Sequence, residues 1–204
     1  MRLFYTCLAL LLVSFWTLDA ALALESETQG NAESNWLVGA SKVDITPDEP
    51  VRLSGYASRL IPSDGIEDRL SARALILSPQ IPQAKPPAEG LHPDSLVIVS
   101  IDAIGISAVM TEKILDKVLP TLKIPRSRIV FCTTHSHTAP HLEGLIPNLF
   151  GVPMSDAEQQ AMLRTTRMNI DRIAQVILDA KTTLQPGTVD YGLGRAEFAI
   201  NRRM

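Results

Sequence analysis

Apolar residues recur along this chain in two rhythms, one with a period of two and one with a period near 3.6, and the order in which they alternate sketches a fold. The segment WLVGASKVD, residues 36–44, predicts a strand through Asp44, followed by a turn at Thr46-Pro47-Asp48 and an extended piece ending at Gly55-Tyr56. A glycine at such a spot lets backbone approach backbone closely. Ser71 to Leu77 reads as a second strand, and the proline-rich stretch at 79–94, which carries His92, reads as an exposed loop. The run SLVIVSID, residues 95–102, is short and continuously apolar, the pattern of a strand whose sheet is covered on both faces.

From Ser107 to Leu119 the apolar positions Met110, Ile114, Leu115, Val118 and Leu119 fall at helical spacing, with Pro120 predicted to stop the helix. RIVFCTT then supplies another buried strand. A longer helix opens at Ser155 and Glu158, which stand in capping-box spacing. It presents Met162, Thr166, Ile170, Ile173 and Ile177 as its stripe and is closed by Pro186-Gly187. GTVDYGLGRAEFAI, residues 187–200, alternates like a strand.

Strand, helix, strand between residues 95 and 134 is a βαβ unit, so its two strands should run parallel. The fold class expected is α/β, with mixed, largely buried β-sheet layers, βαβ units and helices covering the outside. Three segments follow from the same pass: 1–23 as a signal peptide, 24–35 as a polar linker, and 36–204 as an incomplete α/β domain. The pattern stops at NRRM without a closing element, the expectation for a piece of a longer protein.

Composition narrows the function classes. With 204 residues and 46% hydrophobic content the chain can bury a sizeable core. A formal charge of −3 without a long basic run excludes a nucleic-acid backbone as partner. Arg2, an apolar run through Phe15 and Ala21-Leu22-Ala23 have the layout of a secretory signal, which places the mature protein outside the cell or in the periplasm. A membrane anchor is the competing reading, but Asp19 interrupts the run below the roughly 18–20 residues a span requires. Cys7 leaves with that segment. Cys132 then stands alone in RIVFC, the setting of a small buried hydrophobe.

Three of the four histidines lie between His135 and His141, in TTHSHTAPH. If the strand stays extended, His135 and His137 project from one face. Two imidazoles placed so could grip one zinc at about 2.0–2.1 Å, or one could ligate while its neighbour handles protons. Pro140 disfavours helical geometry at Ala139, so His137 and His141 do not form a helical pair, and His141 is the weaker candidate. Asp102 closes the first strand of the βαβ unit and His135 the second, so both should reach the carboxyl edge of the sheet. There Asp102 could hold a ligand imidazole by its other nitrogen, or serve only as a turn residue.

Several blocks in order carry a resemblance: SGYA at Gly55-Tyr56, GIEDRLSARA with Gly65, Ile66, Arg69, Ala72, Arg73 and Ala74, VSID at Asp102, THSHTAP at His135 and His137, and INRR at Asn201 and Arg202. Together they resemble the amino-terminal catalytic domain of the neutral/alkaline, non-lysosomal ceramidases, zinc-dependent amidases of the N-acyl-sphingosine bond. The resemblance implies that His135 is a zinc ligand and that His137 lies beside the metal, contacting substrate or assisting proton transfer. It implies that Arg202 contacts substrate near the scissile amide. A second histidine, a glutamate and a tyrosine complete the family's site further along than this sequence reaches, so the piece alone is expected to be inactive. Thr138-Ala139-Pro140-His141 departs from the serine-glycine-proline continuation of the lipid-active members, and the VDITP opening and NRR ending are closer to a bacterial branch. The expected partner is a sphingolipid or another amide at a membrane surface, with no stable protein partner. A hydrolase of a different amide or ester, or a binding relative without catalysis, is the alternative. A metallo-β-lactamase-like site would need Asp-His where Ala139-Pro140 stands, and an amidohydrolase barrel would carry its histidine pair on the first strand.

Overall fold

The computed structural model describes residues 35–80, 89–198 and 200. The signal-peptide and linker readings at 1–34, and Arg202, lie outside the described residues. Five strands form one mixed sheet: β1 (Trp36–Asp44), β2 (Ser71–Pro79), β3 (Leu96–Ile101), β4 (Ile129–Thr133) and β5 (Gln185–Gly187), in the spatial order β4-β3-β2-β1-β5. Neighbours are antiparallel except β3 and β4, which run parallel with Ile101 opposite Thr133. Between these two lies helix α1 (Ala108–Leu122), so the expected βαβ unit is present. Helix α2 (Asp156–Thr182) follows β4 and returns across β1 and β2.

The core lies between this sheet and the two helices. Ala72, Ala74 and Ile76 of β2 and Val97, Val99 and Ile101 of β3 are buried, every second residue, against Met110, Ile114 and Val118 of α1 and Ile170, Ile173 and Ile177 of α2. Each fully buried branched side chain there contributes about 1.5–3 kcal/mol. At the centre of β1 the helix backbone comes in closely: a Cβ built on Gly39 would sit 2.1 Å from the Ala180 carbonyl oxygen. Only glycine admits that approach.

The helix ends follow their sequence signals with one correction. Ser107 caps α1 by accepting from the Met110 N–H, and Ser155 with Glu158 closes both bonds of a capping box on α2. Pro120, however, does not stop α1, which runs on to Leu122. Leu122 is fully buried and Lys123 adopts the left-handed cap, its N–H bonding Leu119 O, so packing and capping outweigh the one bond a late proline forfeits.

Three further expectations are corrected. Helices cover one face only among the described residues; on the other, Val38, Leu75, Leu77 and Ile98 are half-buried and Val130 is exposed. Cys132 shares that outward face and is exposed rather than packed in the core, because the two-residue strand period turns it away from α1. The alternating stretch at 187–200 forms no strand beyond Gly187, and Tyr191, Leu193 and Phe198 are exposed. Alternation supplies a face but not a ladder partner, and the β1 edge beyond Val38 is already engaged at Ala40, whose N–H and carbonyl both bond the Thr183 hydroxyl.

Candidate active site at the carboxyl edge

Because β3 and β4 are parallel, the loops that leave them emerge side by side, and their pairing continues past the strands. Thr134 N–H donates to Ile101 O at 3.0 Å and Ser136 N–H to Ala103 O at 3.2 Å. The extended geometry nevertheless breaks at His135, which sits in the left-handed region at φ 57°. That conformation is sparsely used by residues with a Cβ, and its cost of order 1–3 kcal/mol is a feature of functional loops. His135 and His137 are thus brought together by a turn rather than by strand alternation. Their rings meet edge to face with centroids 5.1 Å apart.

Each imidazole is held differently. Nδ1 of His135 lies 3.0 Å from the Ile104 carbonyl oxygen. A carbonyl can only accept, so Nδ1 is the donor, and in the neutral ring the lone pair then falls on Nε2, the tautomer of a metal-ligating imidazole. Asp102, expected as a candidate for that anchoring role, turns to β2 instead. Its Oδ2 accepts from Ser71 N–H at 2.9 Å and from the Ser71 hydroxyl at 2.8 Å, with Arg73 at 3.5 Å. The carboxylate therefore ties β3 to β2, while a backbone carbonyl two residues later orients the histidine.

The root of the His137 side chain packs closely against Gly55. That glycine has φ 100°, and a Cβ there would stand 2.5 Å from Cγ and 2.7 Å from Nδ1 of His137. Nδ1 is buried without a hydrogen-bond partner among the described residues. Tyr56 meets the ring edge-on at 5.0 Å. Arg59 donates to the His137 carbonyl, and its guanidinium lies 4.8 Å above the Tyr56 ring.

His141 is built into the scaffold. It is buried, its Nδ1 is 3.2 Å from the Ser54 hydroxyl, and it packs on Phe150. Burial, and then the nearby Arg52 charge, push its pKa below the ordinary value, so the ring is held neutral. Around it the two motif-bearing segments pair: Ser54 N–H donates to Ala139 O at 2.9 Å, His141 N–H to Arg52 O at 2.8 Å, and Leu53 bridges Pro140. Arg52 in turn grips both oxygens of Glu158, the capping-box residue of α2, at 2.7 and 3.1 Å. Arg69, bonded to Asp44 at 2.7 Å, and Arg73, 3.5 Å from Asp102, serve the sheet.

A pocket of about 660 Å³ opens beside this pairing, lined by apolar Val51, Leu53, Ile66 and Pro140 and by carboxylates including Asp64, Glu67 and Asp68. Among the described residues no group of three or more histidine, cysteine, aspartate or glutamate side chains is gathered as for a metal. The residues present fit part of such a site: His135 offers one oriented nitrogen and His137 stands beside it.

A mixed α/β sheet with a paired-histidine turn at the carboxyl edge of its βαβ unit sets these side chains where α/β sheets place their ligand sites. Residues 36–204 match the neutral/alkaline non-lysosomal ceramidase amino-terminal domain. The chain belongs to that family. It is similar to neutral ceramidase 3 of Arabidopsis thaliana, 24% identical over 177 residues that span 84% of this chain and 22% of the plant protein. The fold is shared with the crystal structure of neutral ceramidase from Pseudomonas aeruginosa, at TM-score 0.52, 24% identity and coverage of 75% of this chain and 22% of that one. A ceramidase complexed with C2 matches at TM-score 0.53 with the same identity. The chain thus spans about a fifth of the length of these relatives.

The residues that pattern reading did not single out are Ile104 and Arg59. An orienting backbone carbonyl has no side-chain signature, and Arg59 lies in a surface-like stretch. Gly55 and Tyr56 were visible as part of a motif, though their contact with His137 was not.

Proposed function

We propose that the full-length protein is a zinc-dependent amidase that cleaves N-acyl-sphingosine to sphingosine and a fatty acid. The observation that carries this reading is the His135 imidazole, anchored through Nδ1 on Ile104 O with Nε2 free and His137 5.1 Å away. Family membership supports the reaction class. In this reading His135 holds the metal. Zinc bound there supplies Lewis acidity toward a carbonyl oxygen and a nucleophile competent near neutral pH. His137, pressed on Gly55, directs Nε2 toward the reacting bond and hands a proton to the departing amine. Arg202 contacts the substrate next to the amide and offsets charge on its oxygen. Residues 1–23 direct the protein to a secreted or periplasmic location, where the substrate is presented at a membrane surface.

A second reading, hydrolysis of a different amide, draws on Thr138-Ala139-Pro140-His141, which replaces the continuation found in lipid-active members. Parallel assays on N-acyl-sphingosine and on short N-acyl amines separate the two. For the central assignment, His135→Ala in the full-length protein should lose bound zinc, measured by atomic emission, and lose amidase activity. A variant with wild-type zinc content and rate would overturn it.

A further inference from the structure

We infer that Arg59 is a positioning residue for His137, an inference that rests on the amidase reading of this site but is testable apart from it. The loop after β4 is fastened on one side by main-chain bonds to Ile101 and Ala103, and further on by the pairing of Ala139 and His141 with Ser54 and Arg52. Between these fastenings lies the segment that carries the His137 ring. Arg59 reaches it twice. Its Nη1 donates to the His137 carbonyl, and its guanidinium face lies 4.8 Å over Tyr56, whose ring in turn stands 5.0 Å from that of His137. The Arg59 N–H also bonds Tyr56 O at 3.2 Å, closing a turn that sets the two side chains together.

Both contacts use what distinguishes a guanidinium from an ammonium: an edge that donates while the flat face stacks. Charge pairing does not account for the placement. Arg69, Arg126, Arg128 and Arg164 each meet a carboxylate within 2.7 Å. Arg59 has no carboxylate partner among the described residues and points its half-buried head at the histidine turn. Gly55 stops the His137 ring from below, and Arg59 with Tyr56 stops it from the side, so the ring is confined without a hydrogen bond at Nδ1.

The test uses Arg59→Ala and Arg59→Lys in the full-length protein, with zinc content, Tm, kcat and KM measured for each. Arg59→Ala should keep zinc and Tm and lower kcat on N-acyl-sphingosine roughly 10- to 100-fold with little change in KM, the effect of a displaced catalytic group. Arg59→Lys should recover only part of the loss, and millimolar guanidinium should raise the rate of Arg59→Ala alone. Wild-type kcat in Arg59→Ala, or a fall in kcat only in step with Tm, overturns the role. A second arm does not depend on activity: site-resolved mass spectrometry of carbethoxylation by diethyl pyrocarbonate. His137 should react severalfold faster in Arg59→Ala while His92 keeps its rate, and an unchanged His137 rate overturns the inference. If the wild-type protein fails to cleave N-acyl-sphingosine, the amidase reading falls and this second arm alone decides for or against Arg59.

Discussion

Replacing Gly55 by alanine tests how closely the site is built around a missing side chain. The new methyl would begin 2.5 Å from Cγ, 2.6 Å from Cβ and 2.7 Å from Nδ1 of His137. Carbon–carbon contacts settle near 3.5–4.0 Å, so the ring must retreat by about 1 Å or the loop must open. Retreat is blocked by Tyr56 on one side and His135 on another, both edge-on at about 5 Å. The φ of 100° adds strain of order 1–3 kcal/mol for any residue with a Cβ. If His137 transfers a proton as proposed, misplacing it by about 1 Å corresponds to roughly a hundredfold loss in kcat. Steady-state hydrolysis of N-acyl-sphingosine by full-length Gly55→Ala, alongside thermal unfolding, should show that loss with a Tm lowered by a few degrees. Wild-type kcat and Tm together would refute the packing of His137 on Gly55 and the argument built on it.

Acid stability should follow the carboxylates that α2 and β1 hold in place. The Arg52 hydrogen bond, and then the Ser155 N–H, hold the Glu158 carboxyl at about 2 instead of 4.5, and the Thr46 hydroxyl and N–H hold Asp44 at about 2 instead of 3.8. The unfolded chain therefore binds more protons between these values, so the stabilisation is complete above about pH 5 and lost as pH falls toward 2. Urea midpoints measured over that range should decline, less steeply in Glu158→Gln, and equal slopes would contradict the pairing. Gly39→Val should destabilise the domain by about 1–3 kcal/mol or more in urea unfolding, since its Cβ would meet Ala180 O at 2.1 Å. An unchanged midpoint would mean that α2 does not approach β1 so closely.

Much of the scaffold was legible because its signals are local. The alternation in Ser71 to Leu77, the helical stripe through Ile170, Ile173 and Ile177, and the Ser155–Glu158 box each depend on neighbours in sequence, and each appears where the pattern placed it. The readings that went astray depended on partners. Pro120 could be absorbed because Leu122 had a core to enter. Cys132 belonged to an apolar run, but the face on which it falls was set by the register with β3. The stretch beyond Gly187 had the alternation of a strand and pairs with no strand among the described residues.

The sequence by itself determined which chemistry was available, in His135 and His137, and that parallel strands would deliver it to one edge of a sheet. Only the tertiary structure decided how the pair is held. The left-handed turn at His135, the Ile104 carbonyl that selects its tautomer, and the Gly55 surface beneath His137 join residues 31 to 82 positions apart. Hydrogen bonds and van der Waals contacts act over a few ångströms, so partners that distant in the chain are chosen when the sheet and loops close, and not by any pattern between them.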